Sequence, residues 1–244
     1  MSLNTKANST TQKPIPPVGQ HLAVCFCIID LGTQLESFKG AEPKPTPKIH
    51  IGWEFCSPKL RATFDKEKGE QPMAVFQKYS YYLGSKANFG KMIKNWVGKE
   101  ITELTYEQLI KFRGRSAMIQ VEHNPDKTKV DDKTKKPILY ANIASAGTAV
   151  FIRPEEIPQP KSMSNEWLLF SLDHFSWEVF NKIPKFLQET IMKSAEWAGI
   201  QKEFGQNPLD KEQSNVPEES IEEEEEETGA NTITSSESNE DLPF

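Results

Sequence analysis

The chain has 244 residues, 36% of them hydrophobic, a formal net charge of −6 and three cysteines. That length holds one medium domain with appendages or two small ones, and three cysteines are odd in number and too few for a disulfide framework, which points to a reducing interior. No run approaches the roughly 18 apolar residues of a membrane span, and the opening MSLNTKANSTTQKPIPPVG lacks the apolar stretch of a secretory signal.

The net charge hides a division. From Asn207 onward one basic residue, Lys211, stands against thirteen acids, a charge of −12. The rest of the chain holds 28 basic and 22 acidic residues, a charge of +6. A basic body suits a polyanion partner, and a block of like charge reads as a disordered interaction tail.

Residues 1–18 are polar and proline-bearing and are expected to form a disordered arm. HLAVCFCIID (21–30), bounded by Gly19 and Gly32, is a continuous β-prone run and the first predicted strand. Cys25 and Cys27, two apart on it, are expected to share a face. Pro43, Pro45 and Pro47 favour extended backbone in the connector that follows. In KIHIGWEF (48–55), Ile49, Ile51, Trp53 and Phe55 alternate with Lys48, His50, Gly52 and Glu54, a period of two. SPKLRATFDKEKGEQP (57–72) reads as a charged, mobile connector, and MAVFQKYSYYL (73–83) as a third strand.

The period then changes. Phe89, Met92, Ile93, Trp96 and Val97 recur at helical spacing, with Ser85 as N-cap and Gly98 as the C-terminal stop. Residues 104–112 predict a second short helix with Thr105 or Thr102 near its start. RSAMIQVEH (115–123) is a fourth strand, NPDKTKVDDKTKKP (124–137) a lysine-rich loop, and 138–146 a fifth strand. Three strands, a helix and two strands, with long loops after the first and fourth strands, is the order of an OB-fold, a five-stranded Greek-key barrel. An unrelated α+β meander would give the same string. The expected fold class is therefore mainly β, a barrel with helices.

The expected domains are an arm (1–18), the OB-fold (19–150), a linker and helical docking segment (151–205), and an acidic tail (206–244). Pro184 is placed at the first turn of a helix over 185–197. The docking segment is too short to fold alone and must pack on the barrel, on a second copy or on a partner.

Catalytic motifs are missing: there is no G-x-x-x-x-G-K-[ST], G-x-G-x-x-G, G-x-S-x-G or H-E-x-x-H. Cys25 and Cys27 with His50 or Cys56 do not have the spacing of a zinc knuckle. Neither enzymatic activity nor a metal or other cofactor is expected. What the body does hold is aromatics among lysines on strands. With Ile49, Ile51, Trp53 and Phe55 lining a barrel, Lys48 and His50 face out. On the third strand Val75, Tyr79 and Tyr81 point in, and Phe76, Lys78 and Tyr82 out. On the fifth, Leu139, Ala141 and Ile143 form the apolar set, leaving Tyr140 and Asn142 outward. Rings that stack bases and cations that track phosphates are what single-stranded nucleic acid requires. Loop lysines (Lys39, Lys44; Lys127, Lys129, Lys133, Lys135, Lys136) and helix lysines (Lys86, Lys91, Lys94) flank this surface. The candidate contacts are Lys48, His50, Trp53, Phe76, Lys78, Tyr79, Tyr82, Lys86, Lys91, Lys135, Tyr140 and Asn142.

The sequence ends EDLPF. Glu240 and Asp241 suit cationic partners, Leu242, Pro243 and Phe244 an apolar pocket, and the terminal carboxylate a further cation. This tip resembles the acidic, Pro-Phe-ended C-terminus of bacterial single-stranded DNA-binding proteins. The body is similar instead to a family of phage-encoded single-stranded DNA-binding proteins with an OB core. That resemblance runs through HLAVCFCIIDLGTQ (21–34), KIHIGWE (48–54), QKYSYYLGSKANFGKMIKNWVGK (77–99) and YANIAS (140–145). LDHFSWEVFNKIPKFLQETIMKSAEW (172–197) also resembles a recurrent piece of these proteins. Cys27, Phe76, Gln77 and Gly84 depart from the polar or basic residues expected there.

The resemblance implies sequence-tolerant binding of single-stranded DNA in phage replication or recombination, in the cytoplasm of an infected bacterial host. It also implies recruitment of a polymerase, primase or helicase through the tip; a homo-oligomer is compatible with it. Two other functions fit the same features: a strand-annealing recombination protein, and an adaptor or chaperone that binds no DNA and uses its acidic tail as a nucleic-acid mimic.

Overall fold

The computed structural model describes residues 11–37, 40–144, 149–150 and 163–208. Among them the order is β1 (Gly19–Glu36), β2 (Lys44–Phe55), β3 (Arg61–Asp65), β4 (Gly69–Pro72), β5 (Ala74–Ser80), α1 (Asn88–Val97), α2 (Tyr106–Ile110), β6 (Ser116–Val130), β7 (Pro137–Ile143), β8 (Ala149–Val150), β9 (Leu168–Phe170), α3 (Trp177–Lys182), α4 (Lys185–Ile191) and α5 (Trp197–Phe204). Residues 11–206 belong to one compact unit.

The protein is mainly β. Its main sheet has the order β5-β2-β1-β6-β7, antiparallel between neighbours, with β8 added to β6 and β9 lying parallel to β1. The expected closed barrel is not formed. β5 uses its ladder on β2 and β7 uses its own on β6. The two edges approach within 8 Å between Cα atoms, yet among the described residues no ladder joins them. An open seam remains between β5 and β7.

β1 has an apolar environment on both sides. Its inner residues Ala23, Cys25 and Ile28 join Ile49, Ile51, Trp53 and Phe55 of β2, Val75 of β5, and Phe89, Met92, Ile93 and Trp96 of α1 in one core. Cys27, Ile29 and Leu31 belong to a second core with Phe170, Phe180, Ile183, Leu187, Ile191 and Trp197. The two cysteines therefore do not share a face. The β1–β2 register shifts between Cys25 and Cys27, and one inserted residue resets the alternation. Each fully buried Leu, Ile or Phe in such a core contributes about 1.5–3 kcal/mol.

Caps follow the sequence in part. Gly98 closes α1 in the left-handed conformation (φ 82°) and donates its N–H to the Lys94 carbonyl. The N-cap is Ala87 rather than Ser85, with no side-chain cap bond. Thr105 starts α2 through a reciprocal capping box with Gln108.

Two expected loops are ordered. The connector 57–72 contains the β3–β4 hairpin. The lysine-rich stretch 124–137 is mostly strand: β6 runs on to Val130, which pairs with Pro137. The buried carboxylate of Asp131 makes the turn, accepting from the backbone N–H groups of Lys133 (3.1 Å) and Thr134 (2.6 Å). It also accepts from the N–H of Gln12 at 2.6 Å. These hydrogen bonds, the one from Gln12 first, hold its carboxyl down to about 2. The side chain of Gln12 donates to the Leu139 carbonyl (3.1 Å) and accepts from the Leu139 N–H (2.7 Å), and His123 bonds the Pro16 carbonyl at 2.8 Å. The described part of the expected arm, residues 11–18, thus contacts the β6–β7 hairpin, and residues 1–10 lie outside the described residues.

The C-terminal docking segment packs on its own chain. The expected helix over 185–197 ends early: α4 stops at Ile191, a turn follows, and a separate α5 begins at Trp197. Gly32 (φ 67°) sits against that turn so closely that a Cβ would lie 2.5 Å from the Ser194 Cβ. Beside it Thr33 donates its N–H (2.8 Å) and hydroxyl (2.6 Å) to the Glu196 carboxylate, and the Ala195 N–H donates to the Thr33 carbonyl at 3.0 Å. Buried Glu54 receives the backbone N–H groups of Ser164 and Asn165, both at 2.8 Å, and the Asn165 side-chain amide at 2.7 Å.

Candidate functional site

The seam between β5 and β7 opens into a groove of about 970 Å³. Its walls come from the end of β1 (Glu36), the β1–β2 connection (Glu42), β2 (Lys44, Thr46, Lys48), β5 and its exit (Lys78, Tyr79, Ser80, Tyr82, Lys86), the start of α1 (Asn88) and β6–β7 (Glu122, Asn124, Asn142). Alternation on β5 puts Phe76, Lys78 and Ser80 on one face, opposite Gly52, His50 and Lys48 of β2. Of that outward face Lys48, Lys78 and Ser80 line the groove, together with Gln77 and Tyr79 of the other face, while Phe76 and His50 are not in its lining.

Phe76 is 45% exposed and Tyr82 48% exposed. The Phe76 ring is stacked on the His50 imidazole (centroids 5.4 Å apart, 14° between planes) and meets the Phe26 ring edge-on at 5.6 Å. It lies over Gly52, where a Cβ would come within 2.7 Å of it. The ring is thereby braced on a floor of protein while nearly half of the residue stays open. Burial, with a smaller contribution from the Lys78 ammonium, pushes the His50 imidazole down to about 4, so it is neutral at physiological pH.

Several candidates stand elsewhere than expected. Trp53 is fully buried in the first core against Trp96 (5.8 Å) and cannot touch a ligand; it belongs to the inward set of its own alternation. Tyr79 is 5% exposed, its ring packed on Phe89 at 5.7 Å, and burial pushes its hydroxyl up. Lys48 lies on the outward face but is buried, its ammonium paired with Glu36 and donating to the Ser80 hydroxyl at 3.0 Å. Lys78 is half-exposed, 3.8 Å from the same Glu36 carboxylate.

Lys86 and Asn142 line the groove. Lys91 does not: with Lys94, Ser85 and Glu100 it lines a separate pocket of about 450 Å³, where Lys94 pairs with Glu100 at 2.7 Å. Lys135 is exposed in the β6–β7 turn at φ 57°, and Tyr140 is 44% exposed on β7, opposite Asn124. Glu240, Asp241, Leu242, Pro243 and Phe244 lie outside the described residues, as does Lys39.

The sequence reading missed the groove's acids. Its lining holds four lysines and three glutamates, a mixed surface rather than a uniformly basic one. Glu36 pairs across the ladder with Lys44, but with β1 expected to end at Asp30 that register was out of sight. Phe64, 46% exposed on the β3–β4 hairpin, was also missed; the alternation in RATFD was its one signal.

Burial raises the thiols of Cys25, Cys27 (to about 12) and Cys56 (to about 11). Among the described residues no group of three His, Cys, Asp or Glu could hold a metal ion, and no helix is long and apolar enough to cross a membrane.

No family model and no curated protein matches this chain. The candidate site therefore rests on its own geometry: an open groove with Lys78, Tyr82 and Lys86 in its wall, and the braced, half-open Phe76 ring on the same strand face as Lys78.

Proposed function

We propose that the chain is a sequence-tolerant single-stranded DNA-binding protein, built on an OB-type sheet left open at the β5–β7 seam. The strand order β5-β2-β1-β6-β7 with α1 between β5 and β6 supports the OB reading. One observation carries the function: a cation (Lys78), a ring (Tyr82) and a second cation (Lys86) follow one another in the wall of an open groove, and an exposed ring (Phe76) stands two residues before Lys78 on the same face of β5. Bases stack on rings of any sequence, and lysines follow the phosphates. A groove walled by polar and charged side chains with few apolar ones fits a polymer backbone better than a compact apolar ligand.

The acidic segment Asn207–Phe244 has a charge of −12. In this proposal it competes electrostatically with nucleic acid, and its EDLPF tip engages replication or recombination proteins of a phage-infected cell through acids, ring and carboxylate.

Fluorescence anisotropy of a labelled oligo-dT against the full chain at several salt concentrations tests the reading. A label on the DNA is preferable to tryptophan quenching, because none of the five tryptophans lines the groove. Tight binding that weakens linearly on a log–log salt plot is expected. No binding in dilute buffer, by the full chain or by residues 1–206, would exclude the function.

A further inference from the structure

The lining of the groove holds a charge cluster that single-strand binding does not by itself explain. Lys48 is only 6% exposed, so its ammonium needs a permanent counter-charge. Its polar contacts are the Glu36 carboxylate and the Ser80 hydroxyl, the latter at 3.0 Å. The other carboxylate oxygen of Glu36 lies 3.8 Å from Lys78. One carboxylate thus bridges the two cations. It is not itself buried, with a side-chain exposure of 39%, and it sits at the last residue of β1 where the chain leaves the sheet for the β1–β2 connection.

We infer that Glu36 is an intramolecular stand-in for a backbone phosphate: it neutralises Lys48 and Lys78 in the empty groove and is displaced when a nucleic-acid phosphate takes its place. The inference rests on the single-strand-binding proposal. A phosphate oxygen offers these ammonium groups the same charge and acceptor geometry as a carboxylate. Exchange of one for the other keeps Lys48 neutralised throughout, whereas two anions on the same cations repel each other. Each displacement reduces affinity, and in return the unliganded fold is spared a buried, unpaired ammonium.

Glu36→Gln, measured in the full chain with labelled oligo-dT, separates this from a purely structural role. Loss of a structural partner weakens binding or leaves it unchanged; loss of a competitor tightens it, here about tenfold in dilute salt. The same variant melts at a lower temperature than wild type without DNA and gains more on adding oligo-dT. Glu42→Gln removes an equal charge from the groove without touching either lysine, and is expected to tighten binding by clearly less. Should Glu36→Gln fail to fold, Glu36→Asp keeps the charge but shortens the reach, and it too tightens binding, by a smaller factor. Wild type that binds while Glu36→Gln binds equally or more weakly overturns the inference alone, as does Glu42→Gln matching Glu36→Gln. Wild type that ignores the oligonucleotide overturns the parent proposal and this one together.

Discussion

Two aromatic residues on neighbouring strands are expected to behave in opposite ways. Phe76 is braced by His50 and Gly52 and nearly half exposed, so Phe76→Ala is expected to weaken oligo-dT binding by about 1–3 kcal/mol, roughly 5- to 150-fold, by anisotropy, with little change in melting temperature. Trp53, at zero exposure in the first core, should do the reverse. Trp53→Ala is expected to cost about 3–5 kcal/mol of stability in urea unfolding. The alternation in KIHIGWEF already assigned Trp53 to the interior, and treating it as a contact contradicted that pattern. His50 makes a pH prediction. Its folded-state value of about 4 lies below the unfolded 6.5, so the unfolded chain binds the extra proton as pH falls between them. Stability should then drop through that window by up to about 3 kcal/mol. His50→Asn should flatten this part of the wild-type profile; parallel profiles for the two proteins would refute the assignment.

At the scale of elements, strongly periodic segments were legible and those held by distant partners were not. β2 and α1 follow directly from their two- and 3.6-residue patterns. The extension of β6 to Val130 was hidden because its apolar signal ends at Val121, while the turn depends on Asp131 and on Gln12 from over a hundred residues away. The bulge in β1 was hidden for a similar reason: nothing in HLAVCFCIID marks which residue is the extra one. If Asp131 organises the hairpin, Asp131→Ala should remove hydrogen-exchange protection from the Lys133 and Thr134 amides and loosen the docked arm. It should also weaken DNA binding through the displaced lysines of the turn. Unaltered exchange at those amides would show that the backbone alone holds the turn.

For the whole molecule the relevant quantity is the balance of charge. Four lysines line the groove, and single strands contribute about −0.7 per phosphate contact to the slope of log affinity on log salt. A slope of about −3 is therefore expected for residues 1–206, with tighter binding than the full chain at every low salt concentration. A full chain that binds as tightly as residues 1–206 would rule out the acidic segment as a competitor. The division of charge was plain in the sequence, and so was the strand order. Closure was not: whether two edge strands meet depends on their separation in space, which no local pattern records.

The placement of β1 between two cores sets the smallest piece of this protein worth excising. A fragment stopping at residue 150 would keep the groove but lay Cys27, Ile29 and Leu31 bare along one strand, an adhesive stripe that invites precipitation. Grafting the groove onto another chain therefore means carrying everything through α5, and a shorter transplant that stayed monodisperse would show the outer helices to be ornament.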